Sequence, residues 1–140
     1  MGKFLLLIIL VATSPGAGFA QKGSKAVRTK GIAVAFFDEG RLQSSGGQAA
    51  LKDFEYFLEL NRKIAKRDFP DVEMRILRRG ELLHLPDGTR LNVQTIQPRL
   101  GYVLSAPRKK RLMLSGVQSD TDFACAAAAF FRRPTSACPK

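Results

Sequence analysis

Histidine, cysteine and acidic residues are scarce in this 140-residue chain. It has one His, two Cys and 12 acidic residues against 23 Lys and Arg, which gives a formal net charge of +11. A four-ligand zinc site would have to recruit carboxylates, because one His and two Cys cannot fill it. The basic excess favours contact with anions such as phospholipid head groups, cell-wall polymers or nucleic acid, and carries no information about the fold.

The amino end lacks an apolar run long enough to span a membrane. Residues 4–12 are continuously apolar, and this run of nine follows Lys3, whereas a membrane-spanning helix needs about 20 apolar residues. The small residues Gly18 and Ala20 stand where a signal peptidase reads. Residues 1–20 are therefore predicted to be a secretory signal peptide. Cleavage after Ala20 would export the chain to the periplasm or outside the cell, without a transmembrane segment.

The rest of the chain divides into three parts. Residues 21–30 carry four basic residues and no acidic one, which is typical of a flexible lead-in. Residues 31–133 contain all the periodic segments and are predicted to form a single α/β domain. Residues 134–140 follow as a tail.

The first half of the domain is predicted to be strand, helix, strand. Residues 31–37 are continuously apolar, as in a strand that is buried on both faces. Apolar residues then recur at spacings of three and four over 48–66, which predicts a helix. Residues 71–77 alternate between apolar and charged, which is typical of a half-buried strand.

The second half is predicted to be mainly antiparallel. The turn at 86–88 can join two short strands at 81–85 and 89–93, although 78–97 is the least regular segment. Residues 100–106 and 111–117 are predicted to pair as a hairpin. A capping pattern of Ser119 with Asp122 indicates a closing helix that ends before Pro134.

This order of elements resembles the thioredoxin-like fold family. The segment AVAFFDEG resembles the family's first strand and active-site loop, Pro98 stands at the place of its cis-proline, and Gly116 at the glycine after its fourth strand. The resemblance implies a three-layer sandwich, with a central mixed sheet of about four strands and helices packed on it. It also implies a cis peptide bond between Gln97 and Pro98.

The chain departs from that family where the chemistry would be. Residues 38–45 read DEGRLQSS and contain no cysteine, whereas thiol–disulfide exchange needs a thiolate nucleophile. The domain is therefore predicted to be redox-inactive. No catalytic residue, metal ligand or cofactor-binding residue is assigned, and no cofactor is expected.

The two cysteines, Cys125 and Cys138, are predicted to form a structural disulfide. Their spacing fits neither a redox pair nor a close-spaced zinc pair, and export favours oxidation. The seven residues 132–138 are enough to return along the closing helix and bring the cysteines together. The alternative is a buried Cys125, with Cys138 free or paired to another chain.

Two further groups of polar residues have a plain interpretation. Asp38 and Glu39 are adjacent in a loop, where neighbouring side chains usually diverge, so a solvated loop is favoured over a catalytic pair. The single histidine, His84, is interpreted as a surface or strand residue.

The basic turn Arg108, Lys109, Lys110 and Arg111 is the strongest functional feature of the sequence. Four cations at a hairpin tip are candidates for anion binding. The alternative is a solvated turn that keeps the hairpin edge from pairing. Only Tyr102 supplies an aromatic ring nearby, so stacking on nucleic-acid bases is not supported, and no specific nucleic-acid partner is expected.

Three classes of function remain open from the sequence. The favoured class is a non-catalytic binding or interaction module with a protein partner that the sequence does not identify. The second is an electrostatic binder of anionic polymer or membrane surface, through residues 22–30 and 108–111. The third is an enzyme with an unrecognised site.

Overall fold

The structure, a computed structural model, describes residues 31–139. The predicted signal peptide and the basic lead-in lie outside these residues. No helix within 31–139 is long and apolar enough to cross a membrane. The elements in chain order are β1 (Gly31–Phe37), α1 (Ser45–Asp68), β2 (Val72–Leu77), β3 (Leu82–His84), β4 (Arg90–Asn92), β5 (Leu100–Ser105), β6 (Leu112–Ser115) and α2 (Asp120–Phe131).

Four strands form a mixed sheet in the order β2-β1-β5-β6. β1 and β2 are parallel and joined through α1, whereas β5 runs antiparallel to both β1 and β6. All seven residues of β1 are buried, which confirms the prediction from its continuous apolar run. The predicted α/β class and the mixed sheet of about four strands are also confirmed.

The two faces of the sheet are covered differently. α1 and α2 pack together on the face that carries Ala33, Ala35 and Phe37. The other face carries Ile32, Val34 and Phe36, and it packs against residues of the two-stranded β3–β4 ribbon and the segment after it. A helix on this face would complete an α/β/α sandwich, but the ribbon lies there instead. The turn Pro86–Gly88 divides this segment into pieces that are too short for a helix.

Side-chain caps set where both helices begin. The Ser44 hydroxyl accepts a hydrogen bond from the Gly47 N–H at 3.0 Å, so α1 starts three residues before the predicted position. Ser119 accepts from the Asp122 N–H at 3.1 Å, as the capping pattern predicted. α2 ends at Phe131, because the next residue, the C-cap Arg132, takes the left-handed conformation with φ 57°, so the helix stops three residues before Pro134.

A buried polar contact fixes α1 against the sheet. Asn61 is fully buried, and its Nδ2 donates to the Tyr102 hydroxyl at 2.9 Å and to the Gln118 carbonyl at 3.1 Å. Burial raises the pKa of Tyr102 to about 12, although the Asn61 hydrogen bond opposes that rise. One amide therefore joins α1, β5 and the segment that leads into α2.

The predicted disulfide is confirmed. Cys125 on α2 pairs with Cys138, and their Cα atoms lie 4.9 Å apart. The tail that carries Cys138 also contacts the end of α1, since Thr135 donates to Asp68 at 2.6 Å and Arg133 pairs with Asp71.

The tail contacts change the acidity of Asp68. Hydrogen bonds from Arg67 and Thr135 lower the pKa of Asp68 to about 2 against the opposing effect of burial, and the Arg67 charge adds to the shift. The disulfide and the Asp68 contact together hold the tail across α2 and the carboxyl end of α1.

The predicted cis-proline is wrong. No peptide bond among residues 31–139 is cis, so Gln97–Pro98 is trans. Arg41 holds the carbonyl groups of Ile96, Gln97 and Pro98. These hydrogen bonds hold the loop in the conformation that has a trans Gln97–Pro98 bond.

Replacing both cysteines by serine is expected to destabilise the domain by about 3 kcal/mol, because a loop of this size regains entropy in the unfolded chain. Urea unfolding of Cys125→Ser/Cys138→Ser beside the oxidised wild type measures the loss. Reduced wild-type protein serves as the control and should match the double variant. Two alkylatable thiols in unreduced, exported protein would contradict the disulfide.

Candidate functional site

The carboxyl end of β1 holds a buried carboxylate. Asp38 is only 2 % exposed, although it directly follows the strand in a loop. Its Oδ1 accepts from Arg79 Nη1 at 2.8 Å and from the Gly40 N–H at 3.0 Å, and its Oδ2 accepts from Arg41 Nε at 3.0 Å. The prediction of a solvated loop is wrong for Asp38 and confirmed for Glu39, which is exposed.

The two arginines keep Asp38 ionised. Burial alone would raise the pKa of this carboxyl. Hydrogen bonds from Arg79 and Arg41, the Arg79 charge and the Gly40 N–H outweigh burial and hold the pKa below its usual value. A charged carboxylate with all these donors is stable in a buried position, whereas an unpaired one would not be.

Arg41 connects two loops that are far apart in sequence. Besides Asp38, its guanidinium donates to the carbonyl oxygens of Ile96 at 2.8 Å, Gln97 at 3.1 Å and Pro98 at 3.1 Å. We call the Asp38–Arg41–Arg79 cluster, with these carbonyl contacts, the arginine latch. The latch holds the loop after β1 against the segment that precedes β5.

The amino end of α1 is built closely against the same loop. A Cβ atom on Gly47 would lie 2.8 Å from the Leu42 backbone, so only glycine allows this approach. Gln48 Nε2 donates to the Leu42 carbonyl at 2.5 Å. Leu42 is fully buried, and the loop is thus fixed on both sides.

A groove runs between these fixed segments, with a volume of about 510 Å³. We call it the latch groove. Its lining combines apolar side chains with two arginines at the rim, and includes the glycine that follows β6. The lining residues are Arg41, Leu42, Ala50, Gln97, Pro98, Arg99, Leu100, Ser115, Gly116 and Val117.

The latch groove offers binding groups more than reactive ones. Its lining holds no Cys, His, Asp or Glu. In the part of the chain that the structure describes, no group of three or more His, Cys, Asp and Glu could hold a metal ion. His84 is exposed on β3, opposite Arg90, as its interpretation as a strand residue predicted.

The basic turn does not form a single patch. Lys109 folds back to the Phe130 carbonyl, with its Nζ 4.4 Å from the centre of the Phe130 ring. Arg108 and Lys110 are exposed. The arginines at 75, 78 and 79 belong to β2 or the turn after it, and cannot extend the turn because β2 lies at the opposite edge of the sheet from β6.

Arg111 is half-buried, unlike Arg108 and Lys110, and its charge acts on Asp87 in the turn between β3 and β4. The pKa of Asp87 is lowered even though its burial opposes this, because hydrogen bonds from Thr89 and Ser105 favour the charged form and the Arg111 charge adds to them. One cation of the basic turn therefore interacts electrostatically with a carboxylate of its own chain.

Sequence reasoning missed Arg41 and Arg79. Both could have been found, since Arg41 follows Asp38 by three residues and Arg79 follows β2. Parallel neighbours such as β1 and β2 end at the same edge of a sheet. A carboxylate directly after one strand and a cation directly after the other therefore lie close together.

Asp38→Asn is expected to lower the free energy of unfolding at pH 7 by about 2 kcal/mol, because the arginine hydrogen bonds lose their charged acceptor. The folded-state pKa is depressed, so the contribution is present above the unfolded-state pKa and is lost as pH falls through the folded-state value. Urea unfolding at neutral and acidic pH should show the difference between wild type and variant shrinking with acidity.

The control for that experiment is Asp53→Asn, which removes an exposed carboxylate from α1. It should change the free energy of unfolding by no more than about 0.5 kcal/mol. Equal stabilities of the two variants at pH 7 would contradict the role given to Asp38.

Comparison with known proteins supplies no direct relative. Neither a protein-family model nor a curated protein matches the sequence.

Proposed function

We propose that this chain is an exported, redox-inactive, thioredoxin-like domain that binds a protein partner through the latch groove. The observation that carries the proposal is the arginine latch, which occupies the loop where a thioredoxin-like protein would carry its reactive cysteines. A rigid, cysteine-free groove at that place is suited to holding a ligand rather than transforming it.

The arrangement of the sheet supports the thioredoxin-like part of the proposal. A parallel strand–helix–strand unit is followed by an antiparallel hairpin and a closing helix, as the resemblance implies. Gly116 directly follows β6 with φ 87°, a conformation that favours glycine. Against the resemblance stand the trans bond at Pro98 and the ribbon in place of a helix.

The positions of the two cysteines and of the Ser44 hydroxyl support the proposed lack of redox activity. Both cysteines are paired with each other. The Ser44 hydroxyl, at the start of α1, is engaged as the helix cap. No thiol therefore lies in residues 38–45 to attack a disulfide.

The chemistry of the latch groove supports a protein ligand. An open groove of about 510 Å³ has room for a side chain and part of an extended backbone. The half-buried Ala50, Pro98 and Val117 offer apolar contact, and Arg99 at the rim offers charge. An extended segment with an apolar residue beside a carboxylate would satisfy both features.

Electrostatic binding of an anionic polymer or membrane surface remains the second proposal. One observation favours it. Gly31 packs beside Phe131 and Ser105, at the end of the sheet that also carries the basic turn. The basic segment 22–30 is joined to the domain at that end. Binding of this kind would weaken steeply as salt is added.

Two measurements test the first proposal together. The protein should not accelerate insulin reduction by dithiothreitol. Peptides selected from a random phage-displayed library on immobilised protein should bind wild type, and lose about tenfold or more in affinity to Gln97→Trp, which puts a large ring at the groove rim. Gln94→Trp is the matched control, because Gln94 is exposed and lies outside the groove lining.

The outcomes separate the alternatives. Clear turnover of insulin would contradict redox inactivity. Peptides that bind both tryptophan variants equally would remove the groove as their site. Heparin binding that disappears with salt, without any selected peptide, would favour the electrostatic proposal instead.

A further inference from the structure

The outer edge of β6 is a second surface suited to binding. β6 ends the order of strands in the sheet. The Gly116 N–H donates to the Leu100 carbonyl at 2.9 Å, and residues alternate along an antiparallel pair. The backbone groups of Leu112 and Leu114 therefore face β5, and those of Met113 face away from the sheet.

An apolar groove lies beside this edge, between β6 and α2, with a volume of about 450 Å³. Ala126, Ala129 and Phe130 of α2 and Leu112 of β6 contribute its apolar lining. Leu112 is 38 % exposed, which is unusual for a leucine beside a helix. The small alanines leave room between α2 and the edge of the sheet. We call this surface the β6 shelf.

One end of the β6 shelf is basic. Lys109 and Lys110 line the groove, and the Lys109 Nζ lies over the Phe130 ring. Lys110 is exposed. The basic turn thus places its lysines next to an apolar surface and next to backbone that has no outer strand partner among residues 31–139, rather than presenting four cations to a polymer.

We propose that the β6 shelf binds an extended segment of a partner protein, with an apolar side chain beside a carboxylate. The segment pairs as an added strand with the outward backbone groups of Met113. Its apolar side chain enters the groove at Ala126 and Ala129, and its carboxylate lies at Lys110. This is strand addition at a sheet edge, in which backbone bonds give affinity and side chains give specificity.

Charge decides between the possible occupants. A second copy of this chain would bring another net charge of +11 to a basic edge, and like charges oppose association. The basic lead-in of the same chain, residues 21–30, has no acidic residue to meet Lys110. A partner segment with an apolar and an acidic side chain matches both the apolar groove and its basic rim.

The test selects peptides from a random phage-displayed library on immobilised Gln97→Trp protein. In this variant the tryptophan fills the latch groove, so the result of the selection does not depend on the proposed function. Enriched peptides should carry Asp or Glu beside an apolar residue. Their affinity should fall about tenfold or more with Ala129→Glu or Lys110→Glu. Ala49→Glu and Lys52→Glu, which make the same changes at exposed positions of α1, should leave it unchanged.

A backbone variant separates strand addition from side-chain contact. Met113→Pro removes an N–H that faces away from β5, so the pairing of β5 and β6 is retained while peptide binding is lost. If this variant does not fold, amide exchange in wild type replaces it, and a selected peptide should protect the Met113 N–H. No enrichment over bare matrix, or equal binding to all variants, would overturn the proposal. A dimer that Ala129→Glu dissociates would also overturn it, since the occupant would then be a second copy.

Discussion

The contacts of the buried Asp38 carboxylate are the interactions on which the structure around the latch groove depends. Asp38 directly follows β1, a strand whose residues are all buried, and it orients Arg41 through Nε. Because Arg41 is held there, its remaining nitrogens reach the carbonyl groups of residues 96–98. Two segments more than fifty residues apart in sequence are joined by this guanidinium and by the Asp38 N–H, which donates to the Arg99 carbonyl at 2.8 Å. The latch groove lies between that junction and the end of β6.

The opposite half of the domain is held by different contacts. Asn61 joins α1 to β5 inside the core, and the disulfide holds the tail against α2. These contacts keep the two helices on one face of the sheet. The placement of α2 in turn creates the β6 shelf, because its alanines stand beside an edge strand that has no outer neighbour among residues 31–139. The contacts that stabilise the domain therefore also determine where its candidate binding surfaces lie.

Much of the fold could be predicted from sequence, because its signals are local. The apolar run of β1, the caps at Ser44 and Ser119 and the turn at Pro86–Gly88 each act over a few residues. The latch has no such local signal, and finding it requires the pairing of the strands. Burial of Asp38 depends on Arg79, which reaches it only after β2 pairs with β1. The dispersal of the basic turn similarly depends on Phe130 and Asp87, which are distant in sequence.

The central claim is that the Arg41 guanidinium fixes the loop after β1 against the segment before β5, and so fixes the side of the latch groove that these two segments form. Amide hydrogen exchange on Arg41→Lys tests it, since lysine keeps the charge and loses the planar fork. The claim predicts that exchange becomes about tenfold faster or more in segments 38–42 and 96–100 and is unchanged in α2. Arg62→Lys, at an exposed position of α1, should leave both segments protected. Unchanged protection of 96–100 in Arg41→Lys would contradict the account.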